Sequence, residues 1–134
     1  MIVVTKANVL TVGITDKAQA LRELNIRVIS LQFGKDAVRS LKSEEFDSVI
    51  SRWDLPDMKN GTFLQGLKNI KCDMPTIAVI ESGNTDQEIS ARSLGVSAVI
   101  TEDISEDHFR ELISQLLGLE EVEQIKEIYA TIEA

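Results

Sequence analysis

The chain has 134 residues, a formal net charge of −8, one cysteine (Cys72) and one histidine (His108). That length suits a single domain able to bury ~68% of its unfolded surface without staples. The counts exclude a disulfide framework and a zinc site, and the acidity disfavours direct nucleic-acid binding, which draws on clustered Lys and Arg.

The apolar pattern alternates between strand and helix periods. Asn8 to Ile14 reads as a first strand. A helix follows from Asp16, with Gln19 placed as its reciprocal cap and Ala20, Leu21 and Leu24 as its apolar stripe. Ile26 to Ser30 is a β-branched strand, and Lys35 to Ser43 a helix with Ala37, Val38 and Leu41 inward. Ser48 to Ser51 is the third strand. A turn with Pro56 and Asn60-Gly61 leads to a third helix carrying Phe63, Leu64 and Leu67.

Pro75 opens the fourth strand, TIAVI. The fourth helix starts at Thr85, with Glu88 in the capping-box position, and stops before Gly95. Ser97 to Thr101 is the fifth strand. Ser105 caps a fifth helix, whose apolar positions are Phe109, Leu112, Ile113, Leu116 and Leu117. Five strands alternating with five helices predict a doubly wound α/β domain in three layers, with functional residues at the C-terminal strand ends.

Residues 1–118 form this unit, and 119–134 add an amphipathic helical segment. Val122, Ile125, Ile128, Tyr129 and Ile132 share its apolar stripe. It either folds back on the domain or serves as a homodimer contact or signalling linker. No apolar run reaches ~20 residues and no secretory leader is visible, so a cytoplasmic location is expected, with no membrane partner.

Three stretches, GKDAVRSLKSEEFDSVI, WDLPDMKNG and MPTIAVI through SLGVSAVI, resemble the receiver domain of bacterial response regulators over about residues 7 to 118. The resemblance implies a CheY-like sheet of strand order 2-1-3-4-5. It also implies two-component phosphorelay chemistry, in which a histidine kinase passes a phosphoryl group to an aspartate. That chemistry uses an acidic pair after the first strand to help hold a divalent metal. It uses an acceptor aspartate ending the third strand, a Thr or Ser ending the fourth, and a Lys ending the fifth. Metal and lysine offset charge on the phosphoryl oxygens.

Every one of those positions differs here. The acidic pair falls on Gly13 and Ile14, the acceptor on Arg52, the hydroxyl on Ile80 and the lysine on Glu102. The loop from Pro56 to Gly61 is also one residue longer than the usual pattern. A guanidinium cannot accept a phosphoryl group as aspartate does. It also repels a divalent cation, by roughly 8 kcal/mol at 4 Å and an effective dielectric of 20. The resemblance is therefore to a degenerate receiver, a pseudo-receiver with no catalytic residues, no metal and no cofactor. Arg52 and Glu102 carry the family's anion–cation pair with polarity reversed, and a salt bridge between them is expected, with Glu81 as a further partner.

A signalling module of this kind is expected to work by protein–protein interaction. The partner would be another signalling protein, or an output domain fused to it or separate. The resemblance places the partner surface around Arg92, Val99, Ile104, Asp107 and Arg110. Two alternatives are an active phosphorelay receiver using Asp54 or Asp57, and a small-molecule sensor binding an anion at Arg52. Trp53, beside the acceptor position, is expected to pack over the sheet edge, and His108 to be solvated.

Overall fold

The structure, a computed structural model, describes residues 7–118. The C-terminal helix and dimer contact expected at 119–134 lie outside the described residues. Five parallel strands run β1 Ala7–Val12, β2 Ile26–Leu31, β3 Ser48–Arg52, β4 Thr76–Ile80 and β5 Ala98–Thr101. Their order in the sheet is β2-β1-β3-β4-β5. Helices α2 Gly34–Ser43, α3 Thr62–Ile70, α4 Thr85–Leu94 and α5 Glu106–Leu116 alternate with them, as does a short α1, Thr15–Ala18. No helix among the described residues is long and apolar enough to cross a membrane.

Strand side chains point alternately to opposite faces, so each strand feeds two cores. Leu10, Val49, Ala78 and Ile80 pack under α2, α3 and α4 with Ala37, Phe63, Leu64, Leu67 and Ala91. Val9, Ile50, Ile77, Val79 and Ile100 face the other way, against Leu21, Phe109 and Ile113. Leu10, Ile50, Ile77 and Phe109 are fully buried. Each such side chain contributes about 1.5–3 kcal/mol relative to exposure.

Two helix starts differ from the sequence expectation. The first helix carries no capping box: its N-cap is Ile14, without a side-chain cap, and after one α-turn it tightens into a 3-10 segment, Gln19–Glu23. The Thr15 hydroxyl, one place before the expected cap, instead donates to Gln32 Oε1 at 2.6 Å. In α4 the cap lies one residue earlier than Thr85. Asn84 Oδ1 accepts the Gln87 N–H at 3.1 Å, while Glu88 pairs with Arg92 one turn on. The other two punctuation marks fall as read: Gly95 ends α4 in the left-handed region, and Ser105 Oγ accepts the His108 N–H at 3.2 Å.

The β3–α3 loop is knit by short-range bonds. Its extra residue is taken up at Asn60 and Gly61, consecutive residues at φ 58° and 69°. The Asn60 N–H donates to Asp54 Oδ1 at 2.7 Å, and the Gly61 N–H to the Trp53 carbonyl at 3.0 Å. Trp53 is buried rather than lying loosely over the edge, and its indole covers Gly61 so closely that a Cβ there would overlap the ring. Gly61→Ala meets both a left-handed backbone, costing about 1–3 kcal/mol, and this overlap. We expect a cooperative thermal unfolding midpoint several degrees below that of the parent, with red-shifted Trp53 emission. An unchanged midpoint would contradict the packing described.

Candidate functional site

The cleft at the C-terminal edge of the sheet arises from connectivity. The chain leaves β1 towards one face and β3 towards the other, and the diverging loops leave a gap between them. Its volume is about 470 Å³, and its lining includes Gly13, Ile14, Asp16, Lys17, Arg52, Val79, Glu102 and Asp103.

Side-chain parity explains why Arg52 and Glu102 meet. Ile50 and Ile100 face the α1–α5 side, so two residues on, Arg52 and Glu102 face it too. The strand between them contributes Val79, which is in register with Arg52 on one side and with Ile100 on the other. Two strand spacings of ~4.8 Å separate β3 from β5. Only a long side chain spans that gap, and Arg52 Nη2 donates across Val79 to Glu102 Oε2. The strand ends beneath are fixed: the Trp53 N–H donates to the Val79 carbonyl and the Glu102 N–H to the Ile80 carbonyl, each at 2.9 Å.

The two side chains are 43% and 39% exposed, so water screens the pair. It therefore sets loop geometry more than stability. A double-mutant cycle of Arg52→Met and Glu102→Gln should return a coupling of about 0.2–1 kcal/mol by chemical denaturation. A coupling above about 3 kcal/mol would mean that the pair is desolvated as a buried one is.

Glu81 stays outside the pair. Its Oε2 faces Asn84 Nδ2 at 3.5 Å, and its backbone N–H donates to Gln87 Oε1 at 2.9 Å. Gln87 also donates to Asp54 Oδ2 at 3.2 Å, so one amide ties the β3–α3 loop to the β4–α4 loop. Among the five pocket positions, Gly13, Ile14, Arg52 and Glu102 share the cleft. Ile80 does not: strand parity turns it into the α2–α4 core, and Val79 lines the cleft instead. Gly13, at φ +76°, gives room to its neighbours. A Cβ there would lie 2.8 Å from Leu55 Cδ2 and 3.4 Å from the Arg52 methylenes.

Asp103 was missed in the sequence. The Thr101 hydroxyl, then that of Ser82, hold its carboxyl below the ordinary aspartate range. Lys17 adds a nearby cation and donates from Nζ to the Ile104 carbonyl at 3.1 Å. The expected partner residues do not form one patch. Arg92 lies on α4 and Val99 packs into the α2–α4 core, whereas Ile104 packs on the α5 side. Arg110 is tied to Asp107 on α5 and to Glu23 at 3.3 Å, beside the 3-10 segment and away from the β5 edge.

Asp57 reaches across to the start of α2. Its carboxylate accepts the Gly34 N–H at 2.8 Å and the Lys35 N–H at 3.0 Å, capping a helix 22 residues away in sequence. The amide of Lys35 does most to hold its carboxyl below the ordinary 3.8; slight burial opposes, while the Gly34 amide and the Lys35 ammonium assist. A lowered folded value means stability present above pH ~3.8 and lost as pH falls through the lower folded value. Asp57→Asn should therefore lower the thermal midpoint at pH 7. It should also flatten the acid limb of the stability curve below pH 4, and an identical acid limb in the variant would refute the assignment.

Solved structures give this geometry a context. The CheY-like response regulator receiver domain protein from Methanospirillum hungatei JF-1 aligns at TM-score 0.76 and 18% identity, over 89% of this chain and 99% of its own. The chain has the receiver fold. The signal receiver domain of an HD domain-containing protein from Pseudomonas fluorescens Pf-5 gives TM-score 0.76 at 18% identity, covering 88% and 99%. The chemotaxis response regulator CheY4 of Vibrio cholerae gives 0.73 at 15%, covering 84% and 99%. No protein-family model and no curated protein sequence matches the chain. In this receiver fold the cleft stands at the strand ends where the family resemblance puts the phosphorylation site. Its floor here holds Arg52 paired with Glu102.

Proposed function

We propose that this chain is a receiver-type module of two-component signalling that acts by docking to a partner protein, without capturing a phosphoryl group. The observation that carries this reading is the Arg52–Glu102 ion pair at the ends of β3 and β5. A cation occupies the acceptor position and an anion the position of the charge-neutralising lysine. The donor set does not fit the divalent metal that receivers use. Gly13 and Ile14 offer no carboxylate, and Asp16 and Asp103 share the cleft with Lys17 and Arg52. In this reading the chain is not an enzyme.

The relay alternative through Asp54 or Asp57 is disfavoured by their existing bonds. Asp54 holds the Asn60 N–H and Gln87, and Asp57 holds two amides of α2. Phosphorylating either would break a structural contact, and neither stands at a strand end facing a cation. The partner is another signalling protein, or an output domain fused to this one or separate.

The test is incubation with acetyl phosphate and Mg²⁺, borohydride trapping and peptide mass spectrometry. No homoserine should appear at any aspartate. Arg52→Asp alone should remain inert, because Gly13, Ile14 and Glu102 are unchanged. A trapped adduct at Asp54 or Asp57 would overturn the proposal in favour of a working relay.

A further inference from the structure

We infer that the groove between α3 and α4 is a docking site for a partner-protein segment that is cationic and carries aliphatic side chains. The groove measures about 930 Å³, twice the cleft at Arg52, and runs from the strand ends along both helices. Its deep wall includes the buried indole of Trp53. Three large hydrophobic residues are exposed among the described residues, Phe33, Ile70 and Ile89, and of these Ile89 lines the groove. At 58% exposure it stands beside half-buried Leu94, one α4 turn and a residue further on, giving an apolar strip that water now covers.

Charge names the occupant. Asp54, Glu81 and Asp86 line the groove, and no Lys, Arg or His does. The nearest cations, Arg52 and Lys59, border a separate smaller cleft, where Arg52 is held by Glu102. Low-dielectric walls around charges of one sign focus their field and raise the local concentration of the opposite sign. Asp54 and Glu81 are pre-oriented by Gln87 and Asn84, so they need no reordering on binding. The amides of Gln65 and Asn69 on the α3 wall can bond a peptide backbone, which favours a protein segment over a lone cation. This inference rests on the docking reading but fails separately from it, because phosphoryl trapping does not involve the groove.

The test uses the full chain and a fluorescein-labelled peptide of alternating lysine and leucine, followed by anisotropy, with an alternating glutamate–leucine peptide beside it. The lysine peptide should bind saturably and the glutamate peptide should not. Asp86→Lys and Ile89→Asp, both at exposed positions, should each weaken binding at least tenfold while circular dichroism stays unchanged. Glu111→Lys, the same kind of charge change on α5 outside the groove, should leave binding within twofold. Absent binding, or equal loss in the α5 variant, overturns the inference. So does self-association of the free chain that Ile89→Asp abolishes, since the groove would then belong to a second copy.

Discussion

Arg52 reaches over Val79 to Glu102, and the three strand ends beneath them are held by two backbone hydrogen bonds. This span ties the middle of the sheet to its edge strand. Its strength is modest because both side chains are more than a third exposed. What it supplies is direction: with both charges satisfied by each other, the loop after β5 has a fixed partner that depends on no ligand. The reversal of sign matters because either orientation of the pair could hold the loops, while only a carboxylate at the third strand end could accept a phosphoryl group.

Much of this was legible because it follows from period and parity. A period of two in the strands, broken by glycine and proline, located all five, and spacing to the turn proline placed Arg52 at a strand end. Parity then required Arg52 and Glu102 to share a face. The same rule explains the pocket position that did not hold. Ile80 is adjacent to Val79, so the two must point to opposite faces, and the hydrophobic Ile80 completes the α2–α4 core.

Other features depended on contacts distant in sequence, which no local pattern carries. Asp57 reads as an ordinary turn aspartate, yet it caps α2 from another loop. Trp53 is buried because Gly61, eight residues on, has no side chain. The cap of α4 moved from Thr85 to Asn84 because an amide oxygen there can reach the Gln87 N–H, whose side chain then bridges to Asp54 and to the Glu81 backbone. Arg110 could be assigned to the partner surface from its family position alone. Its bond to Glu23 required knowing that α5 packs beside the 3-10 segment.

The remodelled cleft is also mutually locked. Gly13 has no side chain where the resemblance asks for an acid, and the space so left is taken by Leu55 and the methylenes of Arg52. An acid restored at 13 would therefore meet the arginine stem, while an aspartate restored at 52 would face Glu102 across Val79 with no cation between them. Each reversion is unfavourable while the other residues remain, so the effects at these neighbouring sites cannot add. The way back to phosphoryl chemistry passes through intermediates carrying either a clash or two facing carboxylates. Meanwhile the Gln87 bridge holds the β4–α4 loop to the β3–α3 loop without reference to the cleft's occupant. A domain so arranged keeps one loop geometry, and the surface beside those loops is presented to its partner continuously.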